Sequence, residues 1–442
     1  MNTREWLSER VARLRKPSPA AARSTQERLK ARLRQGEEAM SPSALRRKLD
    51  ELKAIVDPLV SEVEGGKRAG VLIEWYVGAT PAHRRDLWLL MSERFAADPQ
   101  QVKTAQEQYL KAVGTPDEAA AEVLYRRATV SPRRRLLQRF SAHPGGIPFL
   151  VNLRAEMQPH LKGDKRLLAL DVEMEYMFST WFDVGFLELR RISWDSPASL
   201  VEKLIKYEAV HDIRSWDDVK NRLDSDRRCY GFFHPRLPGE PLIFVEVALV
   251  NEIASSITPL LDESAAPADL DRATTAIFYS ISNTQTGLRG VSFGDSLIKR
   301  VVESLHEEFP RLKTFATLSP IPGLRSWLTK NAPAELLQAW DAAPDLADKS
   351  PQRIALKQWT ARYLGKELQD GKPLDAVARF HLGNGARVER LNWAADPSPK
   401  GFKQSYGLMV NYLYDLKKLD RNRAALAQGK IPIAPAIKDL CP

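Results

Sequence analysis

Residues 274–319 show a pattern of apolar and polar positions that predicts a strand, a turn, a helix and a second strand. Residues 276–281 are apolar and rich in aromatic side chains, as expected of a buried strand. From Phe293 onward, apolar residues recur at helical spacing until Pro310 closes the segment. Residues 313–318 have the pattern of the next strand. The rest of the chain is organised around this α/β segment.

A polar, glycine-rich turn separates the first of these strands from the helix. It contains Gly287, Gly290 and Gly294 and follows the polar run 283–286. Such a turn lets backbone N–H groups approach a phosphate, with the positive end of the helix dipole behind them. The turn is a candidate pyrophosphate site, and a tight connection without a ligand is the alternative. The G-x-G-x-x-G fingerprint is absent, and the absence of a Walker lysine argues against nucleoside triphosphates.

The N-terminal part of the chain has helical patterns. Ser41 and Pro42 predict an N-cap and a first-turn proline for a helix that begins there. Gly65 and Gly66 predict a break, residues 81–113 a second helical tract, and the T-P-x-E run 115–118 a capping box for a third. We expect residues 41–160 to form an all-α domain used for packing and assembly.

Strands and helices interleave after a boundary predicted near residue 160. Residues 185–192, 229–233 and 242–250 have strand patterns, the last two joined by the turn HPRLPGEP. Ser196-Pro197 begins one predicted helix and Ser215 caps another. With the segment 274–319, these elements predict an α/β or α+β sheet domain over residues 161–442, with the glycine-rich turn at the mouth of its sheet. Such a layout occurs in the GNAT acyltransferase fold, which is an analogy of fold alone.

The charge of the chain is concentrated at one end. The 442 residues carry a formal net charge of +10, and residues 1–36 contribute +7 of it, from ten Lys and Arg against three Asp and Glu. We interpret residues 1–40 as a basic N-terminal arm, solvated or weakly attracted to anions, with no nucleic-acid partner.

The chain lacks the apolar segments and cysteine clusters of several protein classes. No stretch approaches the roughly 18 consecutive apolar residues of a membrane helix, and no convincing targeting signal is present. We therefore expect a cytoplasmic protein. Its two cysteines, Cys229 and Cys441, exclude a disulfide framework and a multi-cysteine zinc site. We expect Cys229 to be a buried structural residue.

Several long strings carry a resemblance to a known family. In order and wording, the chain resembles malonyl-coenzyme A decarboxylase over GFLELRRISWDSPASLVEKLIKYEAVHDIRSWDDVKNRL, FFHPRLPGEPLIFVEVAL, TAIFYSISNTQTGLRGVSFGDSLIKRVV, LSPIPGLRSWL, FHLGNGARVERLNWAAD and GLMVNYLYDL. This resemblance covers nearly the whole chain apart from the N-terminal arm and the C-terminal end. It implies an α+β protein, with a helical oligomerisation domain followed by a GNAT-like α/β acyl-CoA-binding domain. It also implies decarboxylation of malonyl-CoA to acetyl-CoA and CO2 without a metal or other cofactor, in a homo-oligomer (dimer or tetramer).

The resemblance assigns candidate site residues. The family serine in LSPIPG corresponds to Ser319, the family histidine in FHLxNGA to His381, and a tyrosine near the reacting group to Tyr414. Family contacts to coenzyme A correspond to the turn formed by Arg289, Gly290, Val291, Ser292, Phe293, Gly294 and Asp295. The chain departs from vertebrate relatives at Ser292, where they have a glutamate, so the role of that acid does not transfer.

The chemistry of the reaction fits these residue types. Loss of CO2 leaves an electron pair that delocalises into the thioester carbonyl, so the thioester itself is the electron sink. The protein must supply a hydrogen-bond donor to the developing oxyanion and an acid to protonate the carbanion. The family description treats Ser319 as a proton acceptor, whereas we favour hydrogen bonding to the carboxylate or thioester oxygen. We expect His381 to have a pKa near neutrality and to donate the proton.

Other polar residues carry open alternatives. Glu246 is either a buried carboxylate or a solvent-facing residue of an alternating strand. Asn283 and Gln285 either donate to coenzyme A or satisfy the turn. We expect His234 to make a backbone contact, and Lys299 and Arg300 to be exposed cations on a helix face.

Two other functions compete with decarboxylation. A GNAT-type acyltransferase would use the same coenzyme A turn but needs a second groove for an amine acceptor. A nucleic-acid-binding role would rest on the basic arm alone, and would give salt-dependent DNA binding that is lost without residues 1–36.

Overall fold

The structure is a computed structural model that describes residues 39–291, 297–342 and 347–441. The chain forms two compact units, one ending at Met177 and the other beginning at Phe178. The described part of the first unit is helical, and the second unit contains the sheet. The predicted fold class is confirmed: the protein is α+β, with an all-α N-terminal region followed by a domain with a mixed sheet.

Capping side chains and prolines define the helices of the first unit. Ser41, Ser61, Thr80 and Asp98 each accept a hydrogen bond from a backbone N–H of the first turn, which satisfies donors that have no partner within the helix. The helices are α1 (Pro42–Val56), α2 (Glu62–Gly78), α3 (Pro81–Arg94), α4 (Pro99–Ala112), α5 (Glu118–Thr129), α6 (Pro132–Ser141) and α7 (Gly146–Met157). A further helix, α8 (Leu168–Trp181), contains the division between the units.

The predicted break at Gly65 and Gly66 is wrong, because both residues lie inside α2 and are buried. A Cβ atom at Gly65 would lie 2.8 Å from Arg139 Cδ and 3.1 Å from the Ile55 carbonyl oxygen. These glycines therefore allow neighbouring helices to approach closely. The tract 81–113 is also interrupted, since Asp98 and Pro99 start a new helix.

The capping box predicted at residues 115–118 takes a different form. The Glu118 carboxylate accepts a hydrogen bond from the Gly114 N–H, and the Thr115 hydroxyl donates to the Ala112 carbonyl. Asp117 is the N-cap residue of α5, and its side chain makes no capping hydrogen bond.

The second unit is built on one mixed sheet. Its strands are β1 (Glu188–Ile192), β2 (Arg227–Phe233), β3 (Pro241–Val250), β4 (Thr275–Asn283), β5 (Thr314–Thr317), β6 (Ser319–Pro320), β9 (Arg387–Asn392) and β10 (Met409–Leu413), with a separate hairpin of β7 (Leu368–Gln369) and β8 (Lys372–Pro373). The strand order is β1-β2-β3-β4-β5-β10-β6, with β9 paired to β10, and all pairs in this sheet are antiparallel except β4 with β5.

Helices of the second unit complete the fold. They are α9 (Ala198–Tyr207), α10 (Trp216–Arg222), α11 (Leu297–Glu308), α12 (Leu324–Asn331), α13 (Ala334–Ala342), α14 (Pro351–Gly365), α15 (Ala376–Gly383), α16 (Pro399–Ser405), α17 (Leu419–Ala427) and α18 (Pro435–Lys438). The predicted cap at Ser215 is confirmed, because its hydroxyl accepts from the Asp218 N–H at 2.9 Å.

The two faces of the sheet bury different helices. On β2, Cys229 packs in a cluster with Leu204 of α9 and Val219 of α10. The alternate β2 residues face α11, where Arg228 pairs with Glu308. Cys229 is fully buried, as predicted. The apolar positions predicted for the helix after the glycine-rich turn are buried along α11: Leu297, Ile298, Val301, Val302 and Leu305.

The strand predictions are confirmed with small shifts of their ends. The segment 276–281 lies in β4, and 313–318 becomes β5. The segment 185–192 is shorter than predicted, because a 3-10 turn, Val184–Phe186, precedes β1.

The sheet opens between its two parallel strands. Strand β4 pairs with β5 only as far as Phe278 and Thr317, although it remains paired with β3 as far as Asn283. Beyond Thr317 the chain continues into β6, whose residues Ser319 and Pro320 pair with β10. Since the strands are parallel, the carboxyl end of β4, the following turn and Ser319 lie at the same end of the sheet.

Candidate active site

Ser319 lies just after the end of β5. It is the first residue of β6 and is 5 % exposed. Its hydroxyl donates to Thr317 Oγ1 at 2.8 Å, and its oxygen lies 3.2 Å from Nε2 of His381. The sequence predicted a hydroxyl at the end of a strand, and the structure adds that this hydroxyl touches the candidate histidine.

His381 lies on the short helix α15. Asp375 begins this helix, since its carboxylate accepts from the N–H groups of Val377 and Ala378. The imidazole is 3 % exposed and stacks on the ring of Tyr412, with centroids 4.7 Å apart. A capped helix and a stacked ring thus hold the histidine in one orientation.

Tyr414 completes a chain of three side chains. Its hydroxyl lies 2.7 Å from Nδ1 of His381 and provides the second partner of the imidazole. Burial raises the pKa of Tyr414 well above its usual value, so the phenol keeps its proton and needs an acceptor. Nδ1 is that acceptor, which places the imidazole proton on Nε2, facing Ser319. The tautomer is assigned from this hydrogen-bond network.

The expected near-neutral pKa of His381 is wrong. Complete burial lowers the pKa to about 3, because the charged imidazolium would lose its hydration. The Nδ1 partner is a neutral phenol instead of a carboxylate, so it does not offset this loss of hydration. The imidazole is therefore neutral at physiological pH in the ligand-free protein.

The glycine-rich turn lines a cavity of about 220 Å³ at the end of β4. Gly290 has φ +88°, a backbone conformation that favours glycine. Three of the seven predicted coenzyme A contacts are described: Arg289 and Gly290 are exposed, and Val291 is buried. Ser292, Phe293, Gly294 and Asp295 lie outside the described residues.

The neighbouring polar residues resolve several alternatives. Gln285 satisfies the turn, because Nε2 donates to the Pro241 carbonyl at 3.1 Å. Lys299 is an exposed cation near Glu303, as expected, but Arg300 is not, since its guanidinium donates to the Leu187 carbonyl. His234 makes the predicted backbone contact, accepting from the Arg236 N–H at Nδ1. Asn283 lines the cavity.

Glu246 is a buried carboxylate, so the first of its two alternatives is correct. It lies 2.8 Å from Arg222, which also binds Asp218 at 2.7 Å. Burial raises the pKa of Glu246 to about 7, the Glu208 carboxylate adds to this increase, and Arg222 opposes it. The sequence pattern offered no sign that Arg222 is its partner.

Sequence reasoning missed two residues that contact the site. Thr317 binds Ser319, and Tyr412 stacks on His381. Both lie two positions before a predicted residue on the same strand segment, so the period of two places them on the same face. That spacing was the available signal.

Within the described ranges, no group of three or more His, Cys, Asp or Glu side chains could hold a metal ion. None of the helices described in the structure has the length and apolar character needed to cross a membrane.

The fold and the site define an α+β protein with a buried serine–histidine–tyrosine centre at the opening of its sheet. The chain belongs to the malonyl-CoA decarboxylase family. The family model for the malonyl-CoA decarboxylase C-terminal domain matches residues 185–442, and the model for the N-terminal domain matches residues 95–182.

Individual relatives agree with this assignment. A mitochondrial malonyl-CoA decarboxylase of Anser anser anser is 35% identical over 81% of this chain and 80% of its own length. The mitochondrial enzyme of Mus musculus is 36% identical over 81% of this chain and 82% of its own length. The crystal structure of malonyl-CoA decarboxylase from Rhodopseudomonas palustris has a TM-score of 0.81 and 40% identity, and covers 90% of this chain and all of its own. That from Cupriavidus metallidurans has a TM-score of 0.71 and 43% identity with the same coverage.

Proposed function

We propose that this protein decarboxylates malonyl-CoA to acetyl-CoA and CO2, with Ser319, His381 and Tyr414 as the catalytic centre. The observation that carries the proposal is the continuous hydrogen-bonded chain from the Ser319 hydroxyl through His381 to Tyr414. It lies at the same end of the sheet as the glycine-rich turn, in a member of the malonyl-CoA decarboxylase family.

The reaction needs no external electron acceptor. The bond between the carboxylate and the α-carbon breaks, its electron pair enters the thioester carbonyl as an enolate, and CO2 leaves. The enolate carbon then takes one proton to give the acetyl group. We expect no metal and no cofactor, since coenzyme A is part of the substrate.

Ser319 supplies a hydrogen bond to the substrate. Its hydroxyl donates to Thr317 in the ligand-free protein, and rotation about the Cβ–Oγ bond redirects that proton to a carboxylate or thioester oxygen while the oxygen stays in place. A role as proton acceptor is disfavoured, since the neutral imidazole directs its Nε2 proton at the serine oxygen and offers it no lone pair.

His381 is the proton donor, in its neutral form. An enolate carbon is a much stronger base than the conjugate base of imidazole, so the Nε2 proton can move to carbon. As it leaves, Nδ1 takes the proton of Tyr414 across 2.7 Å. Solvent later protonates Nε2, and Nδ1 returns its proton to the phenolate, which restores the starting tautomer. An arginine at the carboxylate end would stabilise the substrate more than the transition state, so we assign none there.

The turn after β4 binds the coenzyme A portion. Arg289, Gly290 and Val291 line the cavity at this end of the sheet. The N–H groups of Arg289 and Val291 donate to the Thr286 and Leu288 carbonyls, so the Gly290 N–H is the candidate phosphate donor among the three. Ser292, Phe293, Gly294 and Asp295 complete the predicted set. The acyl chain would then enter the opening beside β4.

The test is release of CO2 and acetyl-CoA from malonyl-CoA by chelator-treated protein. Wild type should turn over, and Ser319→Ala and His381→Asn should each lower kcat by about 10²- to 10⁴-fold. Tyr414→Phe should cause a smaller loss, because Nδ1 keeps its position but loses its proton source.

Two matched variants serve as controls. Ser405→Ala removes a buried serine hydroxyl that donates to the Leu408 carbonyl, and His234→Asn removes another buried histidine. Both should retain turnover. If wild type binds coenzyme A but releases no CO2, the decarboxylase proposal fails. Transfer of the acetyl group to an added amine would then support a GNAT-type acyltransferase.

Three wider predictions accompany this function. We propose that the protein is a homo-oligomer, dimer or tetramer, assembled through its helical N-terminal region. A cytoplasmic location stays a prediction, since the goose and mouse relatives are named mitochondrial while solved relatives come from bacteria. The absence of a nucleic-acid or membrane partner is likewise a prediction.

A further inference from the structure

The pairing between β10 and the segment 314–320 contains a gap next to Ser319. Strand β10 pairs Leu413 with Ala316 and Val410 with Ser319, in one unbroken register. The two residues between them, Thr317 and Leu318, are not paired with β10. The interruption lies directly beside the candidate catalytic serine.

Side chains replace the missing backbone hydrogen bonds. Asn411 Nδ2 donates to the Thr317 carbonyl at 2.7 Å, and the Tyr412 N–H donates to Thr317 Oγ1 at 3.1 Å. On the other side, the Leu318 N–H donates to the Phe278 carbonyl of β4. Buried backbone groups need partners, so these bonds stabilise a strand that would otherwise be broken here.

Thr317 Oγ1 also accepts the hydroxyl proton of Ser319, at 2.8 Å. Because residues two apart on an extended chain point to the same side, the two hydroxyl groups are neighbours. Thr317 is completely buried, and its β-branched side chain has few accessible rotamers. Serine is unbranched, so a fixed partner is needed to select one of its three staggered rotamers.

We propose that Thr317 is a positioning residue, which holds Ser319 in the rotamer that meets Nε2 of His381. One oxygen atom joins the serine to the backbone of β10. This strand carries Tyr412 and is followed directly by Tyr414, and both tyrosines contact His381. Through Thr317, the position of Ser319 is fixed relative to the same chain segment that positions His381. This inference rests on the proposed function and extends it.

The proposal predicts a specific kinetic pattern. Thr317→Val keeps the shape and burial but removes the acceptor for the Ser319 proton. A small loss of alignment between reacting groups costs up to about 10²-fold in rate, so kcat should fall by about 10- to 100-fold. KM for malonyl-CoA should stay within about twofold, because a change in alignment removes no contact with the coenzyme. Thr317→Ser, which retains the hydroxyl, should keep most of the wild-type kcat.

The matched control is Thr360→Val in α14. Thr360 is also completely buried, and its hydroxyl donates to the Leu356 carbonyl within the same helix. It should keep the wild-type kcat. Thr317→Cys is a second test variant for the case in which valine prevents folding, since sulfur is a weak acceptor of similar size. It should show the same loss of kcat as valine.

A spectroscopic measurement separates this proposal from the proposed function. In protein labelled with ¹⁵N-histidine, the Nε2–H signal of His381 is assigned from its absence in His381→Asn. The signal should be slow to exchange with solvent in wild type and Thr317→Ser, and weakened in Thr317→Val. This readout needs no turnover, so it holds even if wild type fails to release CO2.

Three results would overturn the role of Thr317. The first is an unchanged kcat and an unchanged His381 signal in folded Thr317→Val or Thr317→Cys. The second is an equal loss of kcat in Thr360→Val, which would indicate a general effect of removing a buried hydroxyl. The third is a Thr317→Ser variant as slow as Thr317→Val.

Discussion

At the scale of single residues, His381 is enclosed by aromatic rings and hydroxyl groups. The main electrostatic consequence of this enclosure is the lowered pKa of its imidazole. The rings of Phe380, Tyr412 and Tyr414 lie 5.1, 4.7 and 6.0 Å from the imidazole, between centroids. The sequence identified the histidine through its motif, but its pKa could not be predicted, because Tyr412 and Tyr414, which help to exclude water, lie on a separate segment of the chain.

This burial predicts a pH dependence of stability. In the unfolded chain His381 has a pKa of about 6.5, and in the folded protein it is about 3. Between these values the unfolded state binds one more proton, so the free energy of unfolding falls as the pH is lowered from about 6.5. The slope from this group approaches ~1.4 kcal/mol per pH unit. Urea unfolding between pH 4.5 and 7.5 measures it.

His381→Gln should lose this part of the slope. His306→Gln, which removes an exposed histidine on α11, is the control and should behave like wild type. Identical pH dependence in wild type and His381→Gln would show that the buried imidazole does not titrate as expected.

The buried pair of Arg222 and Glu246 illustrates a second effect of single residues. Removing one partner of a buried ion pair leaves an uncompensated charge and typically costs about 3–5 kcal/mol. We expect Arg222→Ala to lower the free energy of unfolding by about 3 kcal/mol, measured by chemical denaturation. Lys220→Ala, on the same helix and in an exposed pair with Asp217, should cost less than about 1 kcal/mol. Equal costs would contradict this account.

Two glycines of the same helix, α2, lie in opposite packing environments, one closely packed and one open. Gly65 and Gly66 looked like a helix break in the sequence, because a single chain segment gives no information about the helix that packs against it. In α2 the space at Gly65 is occupied by Arg139 and the Ile55 carbonyl, whereas Gly78, in the last turn, has no neighbouring atom within 4 Å.

This difference can be measured by two alanine substitutions. Gly65→Ala should destabilise the protein by about 1–3 kcal/mol, because the added methyl group overpacks a close contact. Gly78→Ala should be neutral or stabilise by up to ~1 kcal/mol, through better helix propensity. Thermal or denaturant unfolding gives both values. A stabilising Gly65→Ala would mean that the neighbouring helix moves away at little cost.

The elements predicted well from the sequence are those with strong local signals. Strands β3 and β4 were evident from apolar runs, and α1 and α10 from capping residues. The opening between β4 and β5 was not evident, because it depends on pairing with β10, nearly a hundred residues later in the chain. The serine–histidine–tyrosine centre could be proposed only from the family resemblance, because the spacing of Ser319 and His381 in the sequence is not diagnostic.

At the scale of the whole molecule, the helical region is the expected site of assembly. In the pair α4–α5 it exposes apolar side chains that a single chain leaves uncovered: Leu110, Val113, Val123 and Leu124. We expect light scattering of the full-length protein to give two or four times the mass of one chain. A single-chain mass over the micromolar range would contradict the oligomer prediction.

The alternation of side chains along β10 limits which changes of length this strand can accept. Tyr412 and Tyr414 face His381, while Asn411, the residue before Tyr412, points the other way and binds the Thr317 and Ala254 carbonyls. Inserting or deleting one residue here would exchange the two sets of side chains and place an amide where the phenols belong. A point substitution in this strand changes the contacts of one side chain, whereas a change of one residue in length would displace both tyrosines from His381 at once.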